Sequence, residues 1–364
     1  LPHDLLEALL ASPHPSVRVL GGRLLAQTPV EIAKDDLDAL ELFATSANRE
    51  LREGTRTLLG QLAVRFPDTA RALADRLVDG LLRPQPEGVP AHIVSLLRAE
   101  LAPALPRKPA PTILRLVGAL SPHAREAGGL LLSQLSPDDL GLDDIARLAS
   151  HEIRSIREGA RHLAQRSVNR YRLAPVAVSR LVDSPWEDTR EFALAFIRGE
   201  LAGALTADAI IAICDSIRPE VQALGKALLH ERWQAADAGR YLVRLAEHPS
   251  TNLQLLVSGL LEHVGGDLDR LRTVAPYLVT VLSQVNRGRV AKQRVISLLR
   301  REAARSAEAA ALLVPILDRQ SATIAITQKH PLIAALVDVH VTHPDVAVPI
   351  TITPPAPHRA AGGT

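Results

Sequence analysis

Seven basic residues crowd the stretch VNRGRVAKQRVISLLRREAAR, namely Arg287, Arg289, Lys292, Arg294, Arg300, Arg301 and Arg305, against the single acid Glu302. Positive charge at this density can neutralise phosphates or meet an acidic protein surface. Drawn as a helix, the stretch puts Arg287, Arg294, Arg301 and Arg305 on one flank of an apolar stripe set by Ala291, Val295 and Leu298. Asn286 and Gly288 ahead of it would offer free amides to an anion. Glu302 falls toward the stripe itself, where a carboxylate needs an Arg partner. A second group, Trp186, Asp188 and Arg190, joins an indole that could stack a ligand to one charge of each sign. The partner-binding candidates are therefore Arg287, Arg289, Lys292, Arg294, Arg301, Arg305, Trp186 and Arg190. The competing expectation is an ion-paired or solvated helix and a Trp packed at a turn.

Elsewhere the chemistry-bearing residues do not assemble. His14, His123, His151 and His248 recur in short turns, which is shared geometry rather than ligation. His340 and His343 have a two-residue gap suited to a metal, but no third ligand is near and Pro344 follows directly, so no metal site is assigned. Cys214 lies in the apolar run AIIAICDS, where a thiol packs. The chain has no phosphate-cradling P-loop and no GxGxxG. Neither an enzyme nor a cofactor is expected.

The elements that carry these residues are repeated. An acid recurs at Asp183, Asp215 and Glu247 and a long polar side chain at Arg190, Gln222 and Gln254, in both cases at steps of 32. One structural unit has been copied. Its mark is a residue followed by apolar or small residues four, seven and eight positions on, one stripe of a helix. The mark occurs at Val17, Leu51, Val89, Ala124, Ile156, Thr189, Val221, Leu253 and Ala291, with spacings of 34, 38, 35, 32, 33, 32, 32 and 38. Between these anchors lie further helical runs, such as TARALADRLVDGLL, ADAIIAIC and AEAAALLVPIL, so each unit is a helical hairpin that completes its core on its neighbour. The intra-hairpin connections are rich in Ser, His and Pro. After about Asp318 the pattern weakens: one degenerate helix could follow Pro331, then a β-branched, Pro-rich and finally Gly-rich segment.

Composition sets the outer bounds. The 42 basic and 40 acidic residues leave a net charge of +2, so any nucleic-acid or membrane attraction must come from a local patch. One cysteine excludes an internal disulfide and suggests a reducing, cytoplasmic setting. No apolar run of about 18 residues appears, so no membrane association is expected. The chain has no Met, which reads as one part of a longer product, and its basic residues are nearly all Arg, a bacterial GC-rich habit.

The openings of the second helices, VRVLG at Val17, LREGT at Leu51, AREAG at Ala124, IREGA at Ile156 and TREFA at Thr189, resemble HEAT repeats, relatives of the armadillo repeats. The resemblance covers residues 1–320. It implies an all-α fold, a right-handed α-α superhelix of about nine hairpins. A HEAT-like solenoid over 1–320 would be followed by a degenerate terminal repeat or cap over 321–343 and an extended tail or linker over 344–364. It also implies a ladder between an acid at the turn and a base early in the second helix. Asp183 and Arg190 match both places, while Gln222 and Gln254 replace the base, so the ladder is partial and mainly hydrogen-bonded. Second helices would line a concave face that holds a protein partner near residues 190–305. The functional expectation is a protein-interaction scaffold or regulatory module; nucleic-acid binding through residues 287–305 is the alternative. Some HEAT-like solenoids are alkylpurine DNA glycosylases whose inner surface bears Trp, Asp and Arg. Trp186, Asp188 and Arg190 fit that set in kind, but near-neutral charge argues against a long duplex-binding surface.

Overall fold

Helix starts are set by local chemistry throughout the chain. Asp36, Asn48, Ser121, Thr206, Ser250, Asp267 and Ser306 each accept a backbone N–H from the first turn of the helix they precede. Such caps satisfy amides that have no partner inside a helix. Pro67 and Pro219 open further helices, and Pro122 follows the Ser121 cap, at positions where a missing N–H costs nothing. The structure, a computed structural model, describes Leu5, residues 8–9, 12–234, 237–284, 288–322 and 326–351. Among the described residues there is no strand, and no helix is long and apolar enough to cross a membrane.

Two compact units divide the chain, Leu1–Ala204 and Leu205–Thr364. The first opens with α1 (Pro15–Ala26) and α2 (Val30–Ala33). Its hairpins pair α3 (Leu37–Ala44) with α4 (Arg49–Gly54) and α5 (Arg56–Arg65), α6 (Pro67–Gly80) with α7 (Val89–Arg98), and α8 (Ala110–Val117) with α9 (Pro122–Leu131). Next come α10 (Leu142–Ala149) with α11 (Arg154–Arg166), the short α12 (Val168–Leu173), and α13 (Ser179–Val182) with α14 (Glu187–Gly199). First helices stack on first helices, α3 on α6 and α10 on α13; second helices stack on second helices, α7 on α9, α9 on α11 and α11 on α14.

Unit two repeats the scheme. It pairs α15 (Ala207–Cys214) with α16 (Pro219–Arg232), α17 (Ala238–Leu245) with α18 (Thr251–Gly259), α19 (Leu268–Ser283) with α20 (Arg289–Arg305), and α21 (Ala307–Ser321) with α22 (Ile326–Thr342). Again α15, α17, α19 and α21 stack in series, and α18 contacts α20, which contacts α22.

The stripe read from the sequence is the core. Leu51, Val89, Ala124, Ile156, Thr189, Val221, Leu253 and Ala291 are all buried in second helices, as are the pairs Leu58 and Leu59, Leu96 and Leu97, Leu163 and Ala164, and Leu298 and Leu299. Where helices cross closely, glycine is required. A Cβ on Gly225 would lie 2.8 Å from the Cys214 amide nitrogen, and one on Gly128 2.7 Å from that of Val117. The last helix begins at Ile326, upstream of Pro331, which it contains, just as α19 contains Pro276 and α21 Pro315. A proline inside a helix removes a backbone bond; packing of α22 on both α20 and α21 holds the helix through it. Residues 344–351 form turns and irregular chain, and the tail from 352 onward lies outside the described residues.

Candidate functional site

Among the described residues the recurring polar side chains build one turn, written six times. In the turn before α11, His151 Nδ1 accepts the Ile153 amide at 3.0 Å, and the His151 carbonyl accepts Arg157 Nη1 at 3.0 Å. Before α14, Ser184 Oγ takes the Trp186 amide at 3.3 Å and its carbonyl takes Arg190 Nη1 at 3.0 Å. Before α16, Ser216 takes the Arg218 amide at 3.1 Å and Gln222 Nε2 at 2.7 Å. Before α18, His248 takes the Ser250 amide at 3.0 Å and Gln254 Nε2 at 2.6 Å. Ser12 with His14 and Arg18, and Ser46 with Asn48 and Arg52, make the same pair of bonds. One residue thus gives its side chain to the amide two ahead and its carbonyl to the side chain six ahead. Both bonds fix how the chain enters the second helix. The histidines fill this place as neutral acceptors: burial lowers the pKa of His151 and of His248, opposed by Glu152 and by Asp215 respectively.

Arg190 is therefore part of a turn. Trp186 is likewise engaged: its Nε1 donates to the Ser150 carbonyl at 3.2 Å, and the Arg157 guanidinium lies 4.1 Å from the ring centroid, leaving the residue 37% exposed. Asp188 accepts Arg157 Nε at 3.1 Å and pairs with Arg161 at 2.9 Å. Burial alone would raise the Asp188 carboxyl; the two guanidiniums outweigh it and hold the pKa below the usual value. Trp186 and Asp188 do come together, as a clasp on Arg157 of α11 that Thr189 completes by donating to the Ala149 carbonyl at 2.6 Å, whereas Arg190 closes its own turn on Ser184.

The basic stretch forms α20, and most of its charge is engaged. Lys292 is buried and donates to the Gln284 carbonyl, where Arg or Gln stands in the other turns, and burial lowers its pKa. Arg294 Nη1 reaches the Leu255 carbonyl and Ser258 Oγ, both at 2.7 Å, tying α20 to α18. Arg300 pairs with Asp338 of α22 at 2.9 Å. Arg301 and Arg305 clamp Glu302 at 2.9 and 2.8 Å, and the Gly266 amide donates to the same carboxylate at 2.9 Å. Glu302 is buried, which would raise its pKa, but these three donors lower it below the usual range. The Arg partner required by its place on the apolar stripe is present twice. Arg289 is exposed, and Arg287 lies outside the described residues.

Among the described residues no group of three or more His, Cys, Asp or Glu is placed to hold a metal. His343 Nε2 lies 3.1 Å from the Ala304 carbonyl. Cys214 is buried, and desolvation pushes its thiol up to about 12.

No family model matches the chain, and no curated protein matches it. Among solved structures it is similar to a chain from the study of tubulin recruitment and assembly by microtubule polymerases with Tumor Overexpressed Gene (TOG) domain arrays. The identity is 12%, with 92% of this chain and 90% of that chain covered and a TM-score of 0.33. An engineered protein is similar at 14% identity, with 92% of this chain and 98% of that chain covered and a TM-score of 0.23. Scores this low fall short of a shared fold, so the architecture rests on this chain's own helices and turns.

Proposed function

We propose that the chain is a HEAT-like helical-repeat module that recognises a protein partner through the turns and second helices of its hairpins, rather than a catalyst. The observation that carries this reading is a pair of large apolar side chains held out at equivalent turn positions. Ile217, between Ser216 and Arg218, is 91% exposed, and Leu120, at the matching place before α9, is 100% exposed. Single exposed apolar residues are ordinary. These two sit on short turns of the repeat, and the Ile217 turn is fastened at both the side chain and the carbonyl of Ser216. A rigid apolar knob loses little entropy when a partner covers it.

The nucleic-acid alternative rests on Arg287, Arg289, Arg294, Arg301 and Arg305. Most of that charge is committed to carbonyls and to Glu302, which leaves Arg289 as the open guanidinium among the described members of the set. The test is capture of partners by the wild type, Leu120→Ser and Ile217→Ser after nuclease treatment. A protein retained by the wild type and lost from either variant supports the proposal. Retention unaltered by both variants, or a salt-dependent shift of duplex abolished by Arg289→Glu, contradicts it.

A further inference from the structure

The hairpin of α6 and α7 replaces the repeated turn with a longer connection. Between α6 and α7 the accepting place is Pro84 and the donating place is Pro90, so neither bond can form. A longer connection, Leu81–Gly88, takes the place of the turn, with Gln85 Nε2 donating to the Gly80 carbonyl at 2.9 Å and Gly88 in the left-handed region at φ +76°. The link into α8 is also irregular, LPRKPA at 105–110. In helical repeats insertions of this kind map to loops on one face, which is often the face that binds. Here the two departures flank a cleft of about 580 Å³ lined by Asp79, Leu82, Arg83, Lys108, Thr112 and Arg115. That volume is in the range of small-molecule sites.

The walls are built and asymmetric in charge. Lys108 has a side chain only 7% exposed, and its ammonium lies 2.7 Å from Asp75 and 2.7 Å from Asp79. Burial works against its charge, and the bonds to the two aspartates more than restore it, so its pKa is raised. An ammonium has three donors, which leaves one beyond those aspartates. Arg83 and Arg115 are exposed at the cleft, and neither guanidinium has a hydrogen-bond or ion-pair partner among the described residues. No aromatic ring lines the wall, so nothing there stacks a base.

We infer that this cleft binds the phosphate groups of a small anionic molecule, with Arg83 and Arg115 as the forks and Lys108 as a fixed charge in the same wall. Two planar guanidiniums and one ammonium lining a single cleft suit a compact polyanion with several acceptor oxygens, which a single carboxylate would leave half used. The site lies against first helices α6 and α8, so it stands or falls separately from any protein contact at the turns.

The experiment is calorimetric titration of the full chain with inorganic pyrophosphate, and with citrate as a carboxylate of comparable charge, at low ionic strength. The expected result is one equivalent of pyrophosphate bound, weakened about tenfold or more by Arg83→Ala and by Arg115→Ala, as loss of a charged hydrogen bond implies. Binding should vanish in the double variant and be unchanged in Arg147→Ala, which removes an exposed arginine elsewhere. Both guanidiniums are exposed, so these variants fold. Lys108→Met should also abolish binding, with circular dichroism reporting whether α6 and α8 survive the unpaired aspartates. Citrate binding as tightly as pyrophosphate, several equivalents bound, or a double variant within twofold of the wild type would overturn the assignment.

Discussion

Replacing Arg157 with Met separates a fastened turn from a merely charged helix. Arg157 is 6% exposed and serves four neighbours at once: the His151 and Glu152 carbonyls at 3.0 and 2.9 Å, the Asp188 carboxylate at 3.1 Å and the Trp186 ring. Two carbonyl bonds from a charged donor contribute about 1.5 kcal/mol each. Asp188 keeps Arg161 at 2.9 Å, so its loss is partial. Together these give about 3–4 kcal/mol, consistent with breaking a buried ionic contact from one side. In Arg154→Met, three residues away on the same helix, an exposed pair with Glu158 is lost, and no measurable change is expected. Urea unfolding followed by the fluorescence of Trp186, with Trp233 replaced by Phe in every protein, reads this hairpin directly. Arg157→Lys should fall between, since a point charge cannot serve carbonyl and carboxylate as a fork does. A shift for Arg157→Met no larger than that for Arg154→Met would refute the reasoning.

Four further outcomes follow from the same contacts. His151 and His248 have pKa values lowered by burial, so their contribution to stability is complete above the unfolded value of about 6.5 and lost as pH falls through the folded value. Because serine fills the same place in four other turns, His151→Ser and His248→Ser should keep the fold at pH 7.5 and flatten the loss of melting temperature between pH 7.5 and 5.5; an unchanged slope would count against it. The buried Cys214 thiol, pushed up to about 12, should resist iodoacetamide in the native chain and react on denaturation, as mass spectrometry would show. Gly225→Ala sets a methyl against the Cys214 backbone and should cost about 1–3 kcal/mol by denaturant titration. Leu224→Asp places a charge at a 6% exposed position between stacked hairpins, and hydrogen exchange should show α15, α16, α17 and α18 loosening together.

The hairpins were legible because burial in a stacked helix leaves a periodic trace. The anchors from Leu51 to Ala291 and their partners seven and eight residues on are all apolar or small, and almost all are buried. The 32-residue recurrence of Arg190, Gln222 and Gln254 was equally plain, but their acceptors were not. These side chains reach the carbonyls of Ser184, Ser216 and His248, and a carbonyl has no letter in the sequence. The signal available was the Ser or His six positions earlier, which reads as a helix cap unless its fixed offset is noticed. The basic stretch misleads for a related reason. Counting charge along 287–305 sees one acid, whereas Arg294 finds its acceptors on α18 and Arg300 finds Asp338, both more than a hairpin's length away in the chain. The cleft at Arg83, Lys108 and Arg115 left only a faint mark, two Pro-rich connections and one spacing stretched to 38.

Amide exchange across the turns tests the repeated device most directly. The amides of Ile153, Trp186, Arg218 and Ser250 each donate to a side chain two residues back, so they should be protected to the degree of the helix that follows. Protection at Arg218 should collapse in Ser216→Ala and survive in Ile217→Ser. If these four amides exchange at the rate of exposed loops in the wild type, the turns are not fastened as described, and the rigid apolar knob proposed at Ile217 fails with them.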